Sequence, residues 1–159
     1  MKKAYFPLFV DISKKRILII GGGKIASRRA ETLLAFADDI WVVSPALTKD
    51  LQMLVKQRRI HWIGETYRAD LLKGADMVLA AASDSACNEQ VANDCRCRGI
   101  PVNTAHKKEL CDFYFPGIVK KDHMVIGVTA SGTDHRRAKM LRMRLAQAME
   151  RIDREDTDE

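Results

Sequence analysis

The feature that most constrains this 159-residue chain is a glycine-rich turn between an aliphatic segment and a helical pattern. The run 16–20 predicts a buried strand, and Gly21, Gly22 and Gly23 follow it directly. Ala26 provides a third small position inside the helix that comes next. This order fits the dinucleotide fingerprint, in which small residues let a pyrophosphate approach the backbone at a helix N-terminus. The alternative is a turn that needs glycine only for a positive φ.

Strand-like and helix-like segments alternate along the first two thirds of the chain. Because the strands are almost continuously apolar, they predict a parallel sheet covered by helices on both faces. Right-handed crossovers then give the strand order 3-2-1-4-5, so the predicted fold class is α/β and Rossmann-like. The predicted strands lie near residues 16–20, 40–43, 60–63, 77–82 and 100–103.

The pattern changes after Thr104. A hairpin is predicted over 117–128 and a final amphipathic helix from about Asp134 to Arg151. Because a hairpin and one helix bury little apolar surface alone, they should dock on the sheet or on a second copy of the chain. We therefore expect an NAD-binding domain over 1–112, a small dimerisation region over 113–150, and an acidic tail over 151–159.

Composition excludes several classes of protein. No apolar run approaches the ~20 residues of a membrane span, and no signal peptide is visible, so we expect no membrane partner and a cytoplasmic location. The four cysteines fit neither a disulfide framework nor a zinc pattern, which predicts free thiols and no metal site. The net charge of +6 is unevenly spread, because residues 107–149 have nine Lys or Arg against four Asp or Glu, whereas residues 150–159 have six acidic residues against two arginines. The basic part suits an anionic ligand, although scattered surface charge serves solubility equally well.

Residues just past the strands should line the binding crevice of such a sheet. No acidic residue follows the second strand to hold an adenosine ribose, but Ser44 could do so. No basic residue follows Ser44 to favour a 2′-phosphate, so NAD is predicted rather than NADP. The candidate cofactor contacts are Gly21, Gly22, Gly23, Lys24, Ile25, Ser44, Pro45, Ala82 and Ser83.

The fifth strand leads to the candidate catalytic residues. His106 can exchange a proton near neutral pH, and Asn103 is a polar neighbour at the strand end. The alternative is that His106 is an ordinary surface-loop histidine. No serine nucleophile or carboxylate pair is visible in the sequence.

Several segments together resemble the precorrin-2 dehydrogenase / sirohydrochlorin ferrochelatase module of sirohaem synthase over about residues 5–145. The resemblance implies NAD-dependent oxidation of precorrin-2 to sirohydrochlorin by a homodimer, with ferrochelatase activity as a further implication. Lys24, Ile25, Ser44 and Pro45 match the family's cofactor contacts by position. The substrate is an anionic tetrapyrrole, for which Lys107, Arg136 and Arg137 are candidate contacts. The segments that carry the resemblance are Tyr5–Phe9, Gly21–Ala26, Ala80–Asp84 with Asn88, Val102–Asn103, Glu109–Phe113 and Phe115–Val119.

The chain departs from the family pattern in three ways. His106 stands where the family usually has an aspartate. The segment before the last helix also differs, because Asp134 replaces a serine and His135 replaces the proline at the start of that helix. The helical domain that usually follows is also absent from these 159 residues. Two rival hypotheses remain: a catalytically degenerate tetrapyrrole- or nucleotide-binding partner of the same pathway, and a nucleic-acid regulator that uses the basic helix. Since no recognition-helix motif is present, we do not expect nucleic acid as a partner.

Overall fold

The computed structural model describes residues 5–131 and 133–157, which form two compact units. The larger unit is Val10–Phe113, and the smaller one comprises the described parts of 1–9 and 114–159. The last two residues of the predicted acidic tail, 158–159, lie outside the described residues.

The larger unit alternates strands and helices, as the sequence predicts. Its strands are β1 (Arg16–Ile20), β2 (Asp39–Val43), β3 (His61–Ile63), β4 (Met77–Ala80) and β5 (Val102–Thr104). Its helices are α1 (Lys24–Leu33), α2 (Lys49–Lys56) and α3 (Ser85–Cys97), with short 3₁₀ turns at Ala69–Leu72 and Lys108–Leu110.

The five strands form one parallel sheet in the order β3-β2-β1-β4-β5, which confirms the predicted fold class. The register is level across the middle of the sheet, because Ile20 pairs with both Val43 and Ala80, and Ala80 pairs with Thr104. The carboxyl ends of β1, β2, β4 and β5 therefore meet at one edge, where an open α/β sheet binds its ligands.

The core explains why the strands are apolar at nearly every position. Ile17–Ile20 are all buried in β1. Leu18 and Ile20 share a buried cluster with Val91 and Cys95 of α3, so this helix covers one face of the sheet. Such burial stabilises the sheet by about 25 cal/mol for each Å² of apolar surface removed from water.

The smaller unit contains the predicted hairpin and helix. Antiparallel strands β6 (Gly117–Lys121) and β7 (Met124–Val128) are joined by a turn in which Asp122 has a φ of 48°. Helix α4 (His135–Thr157) packs against β6. The predicted end of this helix at Arg151 was wrong, because the backbone stays helical for six more residues through the acidic segment.

Candidate functional site

The glycine turn after β1 is fixed by close backbone contacts. Gly21 has a φ of 116°, and a Cβ there would clash with the carbonyl oxygen of Ala81 at the end of β4. A Cβ at Gly22 would clash with the carbonyl oxygen of Ala46 in the loop after β2. These two glycines thus allow β1, β2 and β4 to bring their ends together.

Gly23 differs from its two neighbours because it faces open space. A Cβ there would meet no atom within 4 Å. Gly23 is also the N-cap of α1, and no side chain caps this helix end. The first backbone N–H groups of α1 and the positive end of its dipole are therefore available to an anion. A pyrophosphate fits this turn, and Lys24 and Ile25 are exposed at its rim.

Ser44 is placed at the end of β2 as predicted, but its side chain is already engaged. Its Oγ donates a hydrogen bond to the carbonyl oxygen of Ala46 at 2.7 Å, and its own carbonyl oxygen accepts one from Trp62 Nε1 at 2.9 Å. The hydroxyl can therefore only accept a further hydrogen bond, for example from a ribose hydroxyl. Pro45 is exposed beside it.

Two hydroxyl residues that the sequence analysis did not select hold the glycine turn in place. Thr48 N donates to the carbonyl oxygen of Gly22 at 2.9 Å, and Thr48 Oγ1 lies 2.6 Å from Ser27 Oγ. Thr48 also caps α2 by accepting from Leu51 N. Its position just before a helical pattern is typical of an N-cap and could have identified it.

The end of β4 is held by a buried asparagine. Asn88 is only 1% exposed, and its side-chain amide both accepts from Ala82 N and donates to the Ala82 carbonyl oxygen, each at 2.9 Å. Ala82 and the exposed Ser83 are therefore presented at the same edge as the glycine turn. Asp84 then caps α3 by accepting from Ala86 N.

Asn103 lies on β5, where it is 4% exposed. Its Nδ2 donates to the carbonyl oxygen of Phe113 at 2.7 Å. Its Oδ1 is buried and has no hydrogen-bond partner among the residues that the structure describes. Asn103 thus connects β5 to the Phe113 segment.

The loop after β5 is closed by the neighbouring Cys111. Thr104 N donates to Cys111 Sγ at 3.2 Å, and Thr104 Oγ1 donates to the carbonyl oxygen of Lys107 at 2.6 Å. Ala105 N donates to the carbonyl oxygen of Ala80, which joins the loop to β4. These contacts fix the backbone on both sides of His106.

His106 has an acidic neighbour that was not among the residues predicted from the sequence. His106 Nε2 lies 3.9 Å from Oε1 of Glu89 on α3, and Lys107 Nζ donates to the same oxygen at 3.0 Å. The hydrogen bond and charge of Lys107 lower the pKa of the Glu89 carboxyl below its ordinary value, with a smaller contribution from His106. Glu89 could have been identified from its position in α3, because this helix follows β4 and begins close to the carboxyl ends of the strands.

The two predicted arginines belong to the smaller unit. Arg136 and Arg137 are exposed in the first turn of α4. Asp134 Oδ1 accepts a hydrogen bond from Arg137 N at 2.8 Å and so caps this helix. In the parts of the chain that the structure describes, no His, Cys, Asp and Glu cluster could hold a metal ion. Within the same parts, none of the helices combines the length and apolar character needed to cross a membrane.

The open glycine turn, the uncapped helix end and the strand order define a dinucleotide-binding α/β protein. Residues 8–117 match the profile of a family described as "Putative NAD(P)-binding". The chain belongs to this family, which confirms the prediction of a nicotinamide dinucleotide as cofactor.

Individual relatives agree with the resemblance found in the sequence. Siroheme synthase 1 of Serratia proteamaculans is 34% identical over 141 residues, and siroheme synthase of Nitrosomonas eutropha is 38% identical over 142 residues. Each alignment covers 89% of this chain but only 30% of the relative, so the chain spans less than a third of their length. In structure, the chain is similar to "SirC, precorrin-2 dehydrogenase", with a TM-score of 0.80, 18% identity, and coverage of 91% of this chain and 70% of that one.

Proposed function

We propose that this chain catalyses the NAD-dependent dehydrogenation of precorrin-2 to sirohydrochlorin in sirohaem biosynthesis. The observation that carries the proposal is the open, uncapped N-terminus of α1, which lies at the same sheet edge as the loop that holds His106. A redox cofactor and a proton-exchanging side chain are the two requirements of such a reaction. The names of the relatives supply the substrate.

Each part of the site has a role in this proposal. The turn at Gly21–Gly23 and the α1 N-terminus would hold the pyrophosphate of NAD, and Ser44 would accept a hydrogen bond from the adenosine ribose. Bound oxidised NAD would supply the hydride acceptor for this oxidation, and the second hydrogen lost by the substrate would leave as a proton. His106 takes up that proton, and Asn103 on β5 is a nearby polar residue.

Cationic side chains would bind the carboxylates of the substrate. Lys107 follows His106 directly, and Arg136 and Arg137 are exposed on α4. The assignment of NAD binding to the larger unit and of dimerisation to the smaller unit, with 151–159 as its acidic end, belongs to the same proposal. The proposal also includes a cytoplasmic location, because NAD is available there.

Anaerobic absorbance spectroscopy of the purified chain with precorrin-2 tests this function. We expect a sirohydrochlorin spectrum that develops only when NAD is added. His106→Ala should lower kcat by about 100-fold because the proton acceptor is lost, while NAD affinity stays unchanged.

His61→Ala is the matched control. His61 is the first residue of the outer strand β3, so it lies at the amino ends of the strands, away from the carboxyl ends that form the site, and it stacks on Trp41. It should retain the wild-type rate. Precorrin-2 that binds but keeps its own spectrum in the presence of NAD would refute the dehydrogenase function. It would favour the hypothesis of a catalytically degenerate binding partner, which is also motivated by His106 in place of the family's aspartate.

We also propose that the smaller unit mediates homodimerisation. Its described residues expose large apolar side chains on two segments: Phe6, Leu8 and Phe9 near the N-terminus, and Met140, Leu141 and Met143 on α4. Phe6 is 86% exposed, a degree of exposure that costs solubility unless another surface covers the ring. A second copy of the chain would bury both segments.

Sedimentation equilibrium tests the dimer. The wild-type chain should sediment at twice its 17.9 kDa mass, and Met140→Glu combined with Met143→Glu should sediment as a monomer, because two carboxylates would have to be buried in the interface. Met53→Glu is the control, because Met53 is exposed to a similar degree but lies on α2 of the larger unit. A wild-type monomer at micromolar concentration would contradict the proposal.

A further inference from the structure

A carboxylate from α3 lies beside the histidine of the loop after β5. Oε1 of Glu89 is 3.9 Å from His106 Nε2 and 3.0 Å from Lys107 Nζ. The three side chains come from two different elements, so the cluster depends on how the ends of β4 and β5 are held together. His106 is the most shielded of the three, with 27% of its side chain exposed.

Both sides of this cluster are fixed by hydrogen bonds within the larger unit. Glu89 follows Asn88 in α3, and the Asn88 amide is locked on the backbone of Ala82. On the other side, Ala105 N is bound to the carbonyl oxygen of Ala80, and Thr104 Oγ1 closes the turn onto Lys107. The carboxylate and the imidazole are thus positioned by residues immediately next to them in the chain.

The charges of the cluster place a carboxylate beside the imidazole of His106. Lys107 keeps the Glu89 carboxyl ionised, and the pKa of this carboxyl is lowered accordingly. Since Nε2 of His106 faces this negative oxygen, its proton is best carried on Nε2, which leaves Nδ1 as the basic nitrogen. A proton that arrives at Nδ1 creates a cation 3.9 Å from this carboxylate oxygen.

We propose that Glu89 is the positioning residue for His106: its carboxylate orients the imidazole through Nε2 and stabilises the imidazolium that forms when Nδ1 takes the substrate proton. This inference rests on the proposed dehydrogenase function. Lys107 has a second role in this proposal, because its ammonium group binds Oε1 of Glu89 and keeps this oxygen between Lys107 and the imidazolium of His106.

Kinetics of Glu89→Gln under anaerobic conditions test the inference. The amide keeps the shape but removes the charge, so kcat with precorrin-2 should fall about tenfold, while KM and the Kd for NAD remain at wild-type values. Glu89→Asp keeps the charge on a shorter side chain and should recover part of the loss. Glu31→Gln, which removes an exposed carboxylate from α1, should leave all three constants unchanged.

A spectroscopic readout separates this inference from the proposed function. The imidazole ¹⁵N resonances of His106 should shift in Glu89→Gln and stay in place in Glu31→Gln, whether or not the chain turns over precorrin-2. Unshifted resonances, or wild-type kcat in an active Glu89→Gln enzyme, would overturn the role of Glu89. An inactive wild-type chain with shifted resonances would instead overturn the dehydrogenase function and keep the Glu89–His106 pair.

Discussion

Gly22→Ala is expected to lower the free energy of unfolding by about 3 kcal/mol, because the added methyl group has no space in the fold. Its Cβ would overlap the carbonyl oxygen of Ala46 and lie 2.8 Å from Ser44 Oγ. The loop after β2 cannot move away easily. Ser44 Oγ donates a hydrogen bond to the carbonyl oxygen of Ala46, and Thr48 N donates one to the carbonyl oxygen of Gly22 itself. Urea denaturation of the ligand-free chain measures the loss.

Gly23→Ala is the matched control for stability. It adds the same methyl group one residue later, where a Cβ meets no atom within 4 Å and φ is −87°. Alanine is a weaker N-cap than glycine, which should cost less than about 1 kcal/mol. Equal destabilisation by the two substitutions would show that glycine at position 22 serves backbone flexibility and not the contact with Ala46.

The sheet could be predicted from the sequence because local pattern and topology rules agree. Each strand is apolar at successive positions, and right-handed crossovers leave few possible orders, so the arrangement around β1 was predicted correctly. The glycine turn was equally accessible, since its residues are contiguous in the chain. Predictions of this kind require no knowledge of which distant side chains meet.

Helix ends were predicted less well. The apolar pattern after the glycine turn continues to Ala37 and so predicts a helix from about Lys24 to that residue. This end was wrong, because the regular helix stops at Leu33, and Phe36 N and Ala37 N both donate to the Leu33 carbonyl oxygen in the turns that follow. Ala37 is nevertheless buried, so the apolar pattern was correct while the backbone conformation was not. Burial selects which side chains face the core, whereas local hydrogen bonds decide where a helix ends.

Contacts between residues that are far apart in the chain could not be predicted from the sequence. Glu89 and His106 are separated by β5 and its connection, and only the fold brings their side chains together. The same holds for Cys111, whose thiol closes the turn at Thr104. The departure at position 134 also has a simple structural meaning, because Asp134 caps α4 and aspartate and serine are both good N-cap residues.

Gly23→Ala is expected to weaken NAD binding by at least about tenfold, which corresponds to about 1.4 kcal/mol of binding free energy. A phosphate oxygen must come within hydrogen-bond distance of the first N–H groups of α1, and the side of Gly23 that a Cβ would occupy is open for this approach. The methyl group would take that space and hold the phosphate away from the helix end. Isothermal titration calorimetry with NAD measures the change in Kd.

Gly99→Ala is the control for this binding experiment. Gly99 also has an open Cβ direction, but it follows the C-terminus of α3, at the end of that helix away from the site, and has a φ of 66°. Its replacement should cost some stability through backbone strain and leave the Kd for NAD unchanged. Wild-type affinity in Gly23→Ala would mean that the pyrophosphate does not use the α1 N-terminus. In that case the open glycine would be a feature of the turn alone, and the cofactor would have to bind along another part of the sheet edge.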